Sequence, residues 1–366
     1  MFLKALHLVN FKNYSEATVE LTEGINIFTG SNGSGKTNIL DAVYYLAMCK
    51  SYFASGDLQN IKHGEQFAII SGNFCINNDL QQIFCSLRKD QKKIFKKNNE
   101  EYEKLADHIG LIPVVMIAPQ DHELVTEGSD QRRKFIDTIL SQTDHHYLEN
   151  LIRYNRFLSQ RNALLKQHSR NGVNDYSLFE FYDAQLNELG AKIHESRKVF
   201  IKDYEPLFIK HFNHITSHGE TPELTYVSQL NDSDLKILLS DNFRKDLQLE
   251  FTSAGIHKDD IAFSINNFPV RKYASQGQQK SYTTALKLAQ FEYISNQKKT
   301  KPIILLDDIY DKLDDHRVDQ LMQMINEHLF GQVLITDTNE LRIKSIFDKL
   351  GVPTNCYKVN KGAISR

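Results

Sequence analysis

The eight residues "GSNGSGKT" (30–37) constrain the fold of this 366-residue chain more than any other stretch. They follow the apolar run "INIFT" (25–29), which predicts a buried strand. A helical pattern with one apolar face comes next, and its apolar positions are Leu40, Val43, Tyr44 and Ala47. A Gly-rich loop of the form G-x-x-x-x-G-K-[ST] between a strand and a helix is typical of loops that wrap nucleotide phosphates. We therefore predict an α/β fold built around a P-loop.

Each residue type in this loop suits phosphate binding. The glycines expose backbone N–H groups, and the following helix N-terminus adds partial positive charge. Lys36 is expected to reach the β- and γ-phosphates, and the Thr37 hydroxyl to bind Mg²⁺. The predicted nucleotide-binding residues of the loop are Gly30, Ser31, Asn32, Gly33, Ser34, Gly35, Lys36 and Thr37. The alternative is a chance Gly-rich turn.

Two adjacent carboxylates, Asp307 and Asp308, end the short apolar run "IILL" (303–306), which is typical of a buried parallel strand. Ligands of open α/β sheets bind beyond the carboxyl ends of the strands. We therefore predict Asp307 as a Mg²⁺ ligand and Asp308 as the group that orients the attacking water. The alternative is a solvated acidic loop, because "DDIYDKLDD" stays acidic.

A second candidate site lies far along the chain, at "SQGQQK" (275–280). Ser275 and Gln278 fit a capping box, which is sufficient to start a helix. The capping box does not account for Gly277, which weakens a first helical turn but leaves room for a phosphate. Since the P-loop already supplies one phosphate site, the second favours a nucleotide shared between two chains.

Composition limits the kinds of binding site and the cellular compartment that this chain is expected to have. The net charge of −2 means that any DNA site must be a local patch. The four cysteines form no C-x-x-C pair, so neither a zinc site nor a disulfide framework is indicated, and a reducing cytoplasm is expected. No apolar run approaches the roughly 18 residues of a spanning helix, and no signal peptide is recognised, so we expect no membrane partner.

The rest of the chain suggests a head interrupted by an insertion. We predict ATPase-head segments at 1–118 and 251–366 and a mostly helical lobe at 119–250, with a turn near "SRNGVND". Further expected elements are a strand at "ATVEL", a hairpin of 67–75 with 81–88, a return to a sheet at "LQLEFTSAGIHKDDIAFSINN", a helix after "IILL" with Val318, Leu321, Met322 and Ile325 on one side, and a buried strand at "QVLIT".

Taken together, "GSNGSGKTN", "SQGQQK" and "IILLDDIYDKLD" resemble an ABC-type ATPase head, with P-loop, signature and Mg-binding strand in that order. The chain also resembles the RecF family of bacterial DNA-repair ATPases over nearly its whole length. The stretches that carry this resemblance are "LVNFKNY", "VVMIAPQDHELVTEGSDQRRKFID" (114–137), "RYNRFLSQRNALLK" (153–166), "TSAGIHKDD" (252–260) and "YASQGQQKSYTTALKLAQ".

The resemblance implies ATP and Mg²⁺ as ligands and a weak, DNA-stimulated ATPase that acts as a switch. It implies a homodimer around two ATP molecules, each held by the P-loop, Asp307 and Asp308 of one chain and by Ser275, Gly277 and Gln278 of the other. The closed dimer would bind duplex DNA near gaps or single-strand junctions, and with RecO and RecR would help load RecA. Catalytic roles fall to Lys36 and Asp308.

The resemblance leaves two site roles without a single assigned residue. Gln120 is the candidate that senses the γ-phosphate and Mg²⁺, and Asp121 is the competing candidate. After "QVLIT" the chain lacks the His that transporter ATPases place there, so Thr336 and Asp337 are the candidates to replace it.

Clustered basic residues are the candidate DNA contacts. The stretch "RKDQKKIFKK" (88–97) contains six basic residues, and the predicted helical lobe offers more. The predicted DNA-binding residues are Arg88, Lys89, Lys92, Lys93, Arg153 and Arg161. Binding is expected to be dominated by the phosphate backbone and weakened by salt. The alternative is a solvent-exposed hairpin that binds no DNA, because a run of charged residues is usually a solvated surface.

Three other functions share the P-loop. A small-molecule kinase would leave "SQGQQK" as a helix cap and would not dimerise with ATP. A transporter ATPase subunit, another ABC-type ATPase not acting on DNA, predicts a membrane partner. A structural tether like the SMC proteins needs a far longer coiled coil than residues 119–250 allow.

Overall fold

The computed structural model describes residues 1–171, 176–216, 219–308, 331–351 and 353–366. The chain forms two compact units: residues 1–121 with 284–366 make the first, and 122–283 make the second. The predicted division into domains stays a prediction. The helix predicted after "IILL" lies outside the described residues, as does most of the turn near "SRNGVND".

The strands and helices have the following bounds. The strands are β1 Phe2–Phe11, β2 Tyr14–Glu20, β3 Ile25–Thr29, β4 Phe67–Ile76, β5 Asp79–Arg88, β6 Ile94–Lys97, β7 Glu100–Glu101, β8 Val114–Ile117, β9 Pro222–Val227, β10 Asp260–Ile265, β11 Phe268–Pro269, β12 Ile303–Leu306, β13 Val333–Asp337, β14 Thr354–Asn360 and β15 Ala363–Ser365. The helices are α1 Lys36–Met48, α2 Glu123–Thr126, α3 Ser129–Thr143, α4 His145–Asn171, α5 Glu180–Ile215, α6 Leu235–Asp241, α7 Phe243–Leu249, α8 Val270–Tyr273, α9 Gln276–Lys298 and α10 Glu340–Leu350.

The central sheet of the first unit has the order β15-β14-β3-β13-β12-β8. All neighbouring pairs are parallel except β14 with the edge strand β15. The strands predicted at "INIFT", "IILL" and "QVLIT" are therefore confirmed as β3, β12 and β13. Because these three run in one direction, the residues that follow them meet at the same edge of the sheet.

A second, antiparallel sheet of the first unit has the order β2-β1-β4-β5-β6-β7. It contains the predicted strand at "ATVEL" and the predicted hairpin, which is formed by β4 and β5. Asn77 and Asn78 connect these strands with φ angles of 51° and 69°. This left-handed backbone suits a tight hairpin turn and is one that Asn tolerates.

Helix α1 is buried on all sides, so the prediction of a single buried face is wrong. All of its residues from Ile39 to Met48 are buried. The physical reason is that α1 contacts β4 and β5 of the antiparallel sheet as well as β8, β12 and β13 of the central sheet. Its apolar side chains thus belong to one core shared by both sheets.

The second unit is dominated by α4 and α5, which have 27 and 36 residues and pack against each other. It also holds a small antiparallel sheet of order β11-β10-β9. The predicted return to a sheet after residue 246 is correct only for β10, because "LQL" (247–249) ends α7. Leu247 and Phe243, four residues apart on that helix, pack in an apolar cluster with Leu165 and Phe179.

Within the described ranges, no helix combines the length and the apolar character needed to cross a membrane.

Candidate nucleotide site

The P-loop rests on the turn between β1 and β2. Asn13 Nδ2 donates to Ser34 O at 2.9 Å, and Tyr14 OH donates to Gly35 O at 3.0 Å. Gly35 has φ +114°, and a Cβ there would lie 2.5 Å from Asn13 Nδ2 and 2.9 Å from Tyr14 OH. Only glycine fits this position without a shift of its neighbours. Sequence reasoning missed Asn13 and Tyr14, although both stand in the motif "LVNFKNY".

The start of the loop is equally close to its neighbours. A Cβ at Gly30 would lie 2.2 Å from the carbonyl oxygen of Val359 in β14. The tip, residues 31–33, is exposed, whereas Ser34 is buried and its Oγ has no hydrogen-bond partner among the described residues. The loop therefore presents its tip to solvent on a tightly packed base.

The Lys36 side chain folds back over the loop. Its Nζ lies 2.7 Å from Gly30 O and 3.0 Å from Ser31 O. Burial lowers the pKa of this ammonium, and nearby carboxylates act in the opposite direction. Those carboxylates belong to Asp308, Asp307 and Asp337. A cation thus stands between the loop carbonyls and the acidic ends of β12 and β13.

Asp307 and Thr37 meet as an oxygen pair beside Lys36. Thr37 Oγ1 donates to Asp307 Oδ1 at 2.8 Å, and Thr336 Oγ1 donates to the same atom at 2.7 Å. Burial raises the pKa of Asp307, and these two hydrogen bonds oppose the shift. One carboxylate and one hydroxyl fit Mg²⁺, which takes few protein ligands and completes its shell with phosphates and water. No group of three His, Cys, Asp or Glu in the described ranges could hold a metal alone.

Hydrogen bonds link the carboxyl ends of β12 and β13 beside Thr37 and Asp307. Asp308 has a left-handed backbone, with φ 45°, and its N–H donates to Thr336 Oγ1 at 3.0 Å. Asp337 is buried, and its Oδ1 accepts from Asn339 N at 2.6 Å, while Oδ2 has no hydrogen-bond partner in the described part of the chain. Burial raises the pKa of Asp337. Thr336 therefore links the Asp307 carboxylate to the backbone of Asp308, and Asp337 adds a second buried carboxylate at this edge of the sheet.

The two candidates for sensing the γ-phosphate, Gln120 and Asp121, have different contacts in the structure. Asp121 is buried and uses both carboxylate oxygens, since Oδ2 accepts from Ala118 N at 2.7 Å and Oδ1 lies 2.8 Å from Lys287 Nζ. Gln120 is half-buried, with its Nε2 at 3.5 Å from Tyr52 O. The weaker engagement leaves Gln120 better placed than Asp121 to turn toward a ligand.

The capping box at the start of α9 is present. Ser275 N donates to Gln278 Oε1 at 2.7 Å, and Gln278 N donates to Ser275 Oγ at 3.2 Å. Gln278 Nε2 also donates to Glu220 Oε1 at 2.6 Å. Ser275 is exposed and Gly277 half-buried. The role of these residues toward a second chain's nucleotide stays a prediction.

The basic cluster after β5 is only partly available to DNA. Arg88, Lys89 and Lys92 are exposed. Lys93 is instead anchored internally: its Nζ lies 2.7 Å from Cys49 O and 3.0 Å from Asp57 Oδ2. Lys93 is therefore engaged within the protein, and its role as a DNA contact stays a prediction.

Arg161 cannot contact DNA, and that prediction is wrong. Its side chain is fully buried, with Nε at 2.6 Å from Asp183 Oδ1 and Nη1 at 2.7 Å from Asp246 Oδ2. Nη1 also donates to Thr252 Oγ1 at 2.9 Å. The partners lie 22, 85 and 91 positions away, so no local pattern could show them. Arg153, on the same helix, is exposed.

The motif "TSAGIHKDD" (252–260) is also used internally. Arg197 Nη1 lies 2.9 Å from Asp259 Oδ2, and Arg197 is itself buried. Arg132 Nε lies 2.6 Å from Asp260 Oδ1, with a second bond from Nη2 to Oδ2. Asp259 and Asp260 of this motif therefore form ion pairs within the second unit, and the pair of Asp259 is buried.

His257 makes that unit sensitive to acid. Burial lowers its pKa to about 4, and its Nδ1 and Nε2 lie 2.9 Å from Tyr154 OH and Thr252 O. Between pH 6.5 and 4 the unfolded chain binds a proton that the folded chain does not, so stability is lost as the pH falls. We expect a loss of about 1 kcal/mol between about pH 7 and about pH 5.5. Urea unfolding of wild type and His257→Gln at both pH values measures it; equal pH dependence in the two proteins contradicts it.

A parallel sheet with a P-loop after one strand, an acidic strand end beside it and a helix opened by "SQGQQK" defines an ABC-type ATPase head. The family described as "RecF/RecN/SMC N terminal domain" matches residues 2–360. The chain belongs to this family and, within it, to RecF, as the following relatives show.

The DNA replication and repair protein RecF of Flavobacterium johnsoniae is 49% identical over 94% of this chain and 96% of that protein. RecF of Parabacteroides distasonis is 41% identical over 100% of this chain and 99% of that protein. The solved "recombination mediator protein RecF-ATP in RecFOR pathway" superposes with a TM-score of 0.89 at 28% identity, covering 100% of this chain and 97% of that one. A Pyrococcus furiosus Smc head, at 17% identity and a TM-score of 0.57, shares the fold. The predicted fold class is confirmed.

Proposed function

We propose that this protein is an ATP-dependent DNA-binding protein of recombinational repair, whose ATP-bound dimer binds duplex DNA near single-strand gaps. The observation that carries the proposal is the meeting of Lys36, Thr37 and Asp307 at one sheet edge, in a chain related to RecF over its full length. Slow hydrolysis, stimulated by DNA, resets the dimer. No observation favours a small-molecule kinase.

The site's residues divide the chemistry among them. The P-loop N–H groups and Lys36 bind the β- and γ-phosphates, for which the Lys36 ammonium leaves its loop carbonyls. Thr37 and Asp307 would hold Mg²⁺, which would neutralise charge on the phosphates. Asp308 orients the attacking water, and Gln120 reports the γ-phosphate.

The second chain completes the site. Ser275, Gly277 and Gln278 open α9, whose N-terminal amides and partial positive charge favour an anion. The Ser275 hydroxyl is exposed, so a partner's γ-phosphate can approach it in exchange for its capping bond. Each ATP then joins two chains, and its hydrolysis separates them.

The biological setting follows from the relatives. As the solved relative is a recombination mediator in the RecFOR pathway, we propose RecR and RecO as partners and RecA loading as the outcome. The protein would act in the cytoplasm, where the chromosome lies.

We propose Arg88, Lys89 and Lys92 of the first unit as DNA contacts, because all three are exposed. Arg153 of the second unit is also exposed and is proposed as a separate contact. We expect the triple variant Arg88→Ala, Lys89→Ala, Lys92→Ala to bind DNA more weakly. The slope of log affinity against log salt should become shallower by about 0.9 for each phosphate that the variant no longer neutralises. Binding of labelled gapped duplex with ATP, over a range of salt, measures this slope.

The matched control is Lys344→Ala, which removes an exposed charge from α10. It should leave the slope unchanged. If the triple variant kept the affinity and salt slope of the wild type, Arg88, Lys89 and Lys92 would be excluded as DNA contacts. ATP-dependent DNA binding by the wild type would still support the proposed function.

A further inference from the structure

A cavity of about 510 Å³ opens on the second unit, and the residues that line it all belong to that unit. Its floor is made by Phe243 and Leu247 of α7 and by His168 of α4, which are buried. Tyr176, which is half-buried, adds a further aromatic wall. The volume lies within the range of roughly 300–1,000 Å³ that is usual for small-molecule sites. The cavity is therefore large enough for a planar ligand.

Contacts outside the cavity hold its aromatic walls in place. Tyr176 OH donates to Asp183 Oδ2 at 2.9 Å, and Asp183 is itself buried. The Tyr176 and Phe243 rings meet edge to face, with centroids 5.0 Å apart. His168 Nδ1 donates to Leu164 O at 2.9 Å, which leaves Nε2 as the ring nitrogen available to a ligand. Walls that are fixed in this way lose little freedom when a ligand binds.

The rim of the cavity is polar and carries one cation. It is formed by Arg244 and Gln248 of α7 and by Ser169 of α4, and all three residues are exposed. Within the described ranges, none of these three side chains has a hydrogen bond or an ion pair. No Asp or Glu is among the described residues that line the cavity. The combination favours a flat ligand with hydrogen-bonding edges and a negative charge.

A nucleotide base with its phosphate has these properties. The base would stack on the aromatic wall, its edge would bond to His168 Nε2 and the Gln248 amide, and the phosphate would pair with Arg244. A base inside a duplex is paired and stacked between its neighbours, so its entry into a cavity is costly. A base of a single strand enters at a much lower cost.

We propose that this cavity binds one unpaired base of the single strand at a DNA gap; the inference rests on the proposed function. The aromatic wall supplies the stacking, and Arg244 neutralises the phosphate beside the base. Contacts to the phosphate backbone carry no information about the bases. A cavity that holds an unpaired base would let the protein distinguish a gap from continuous duplex.

The test compares gapped duplexes whose single strand carries either normal bases or abasic sites, which keep the phosphates. With ATP, the wild type should bind the normal gap at least about fivefold more tightly, as stacking of one base predicts. Ser169→Phe fills the cavity from its exposed rim and should make the two DNAs bind equally. Arg244→Ala should weaken binding to the normal gap by about fivefold or more relative to Lys245→Ala. Lys245 is the matched control, because it is the next exposed cation of α7 and does not line the cavity.

A wild type that binds both gaps equally, with ATP-dependent binding retained, would overturn the inference alone. So would a Ser169→Phe protein, folded by circular dichroism, that still prefers the normal gap, or equal affinities of Arg244→Ala and Lys245→Ala. If free dTMP bound in a calorimeter and Ser169→Phe abolished this binding, with no preference between the gaps, the cavity would instead serve a free nucleotide. A wild type that binds no gapped duplex with ATP would overturn the proposed function and the inference together.

Discussion

Asp307→Asn is expected to slow ATP hydrolysis by at least about 100-fold, which corresponds to about 3 kcal/mol of transition-state stabilisation. Asparagine keeps the size of Asp307 and an oxygen for the Thr37 and Thr336 hydroxyls, which lie at 2.8 and 2.7 Å. It lacks the negative charge that we propose as the Mg²⁺ ligand. Phosphate release at saturating ATP, with Mg²⁺ titrated, measures both the rate and the metal requirement, and the half-saturating Mg²⁺ concentration should rise.

The control is Asp79→Asn, an exposed carboxylate at the start of β5. It should hydrolyse ATP at the wild-type rate. If Asp307→Asn kept the wild-type rate and Mg²⁺ requirement, the assignment of the metal ligand to Asp307 would be wrong.

Arg161→Met is expected to lower the free energy of unfolding by about 3–5 kcal/mol. The substitution keeps most of the side-chain volume but leaves Asp183 and Asp246 buried without their cation. Urea denaturation gives the value. Arg153→Met, on the exposed side of the same helix, should change stability by less than about 0.5 kcal/mol.

Adding Asp183→Asn and Asp246→Asn to Arg161→Met removes the two buried carboxylate charges that have lost their cation. This triple variant should recover part of the stability. An Arg161→Met protein as stable as the wild type but deficient in DNA binding would contradict the structural role and return Arg161 to the DNA surface.

The sequence was informative where function depends on neighbours along the chain. The P-loop, the "IILL" strand and the capping box each lie within a few residues, so turn chemistry and periodicity were enough to find them. The joining of Thr37 to Asp307, 270 positions apart, followed from a general rule about parallel sheets.

The sequence was misleading where burial depends on distant partners. Arg161 looked like a solvated cation, because Asp183 and Asp246 give no local sign that they enclose it. The internal contacts of Lys93 gave no local sign either, since Asp57 and Cys49 O lie on another segment. The burial of α1 on every side could not be predicted from one apolar stripe, because α1 contacts the antiparallel sheet as well as the central sheet.

The central claim is that ATP joins two chains through the start of α9. Binding of labelled gapped duplex DNA, with ATP, ADP or no nucleotide, tests it for wild type, Ser275→Arg and Gly277→Leu. Leu is a better helix former than Gly, so a residue that only starts a helix would tolerate this change. We predict tight binding by the wild type with ATP alone, abolished in both variants while each still binds ATP. Equal binding in every nucleotide state, or wild-type behaviour of both variants, would reduce "SQGQQK" to a helix cap and contradict the ATP-gated dimer.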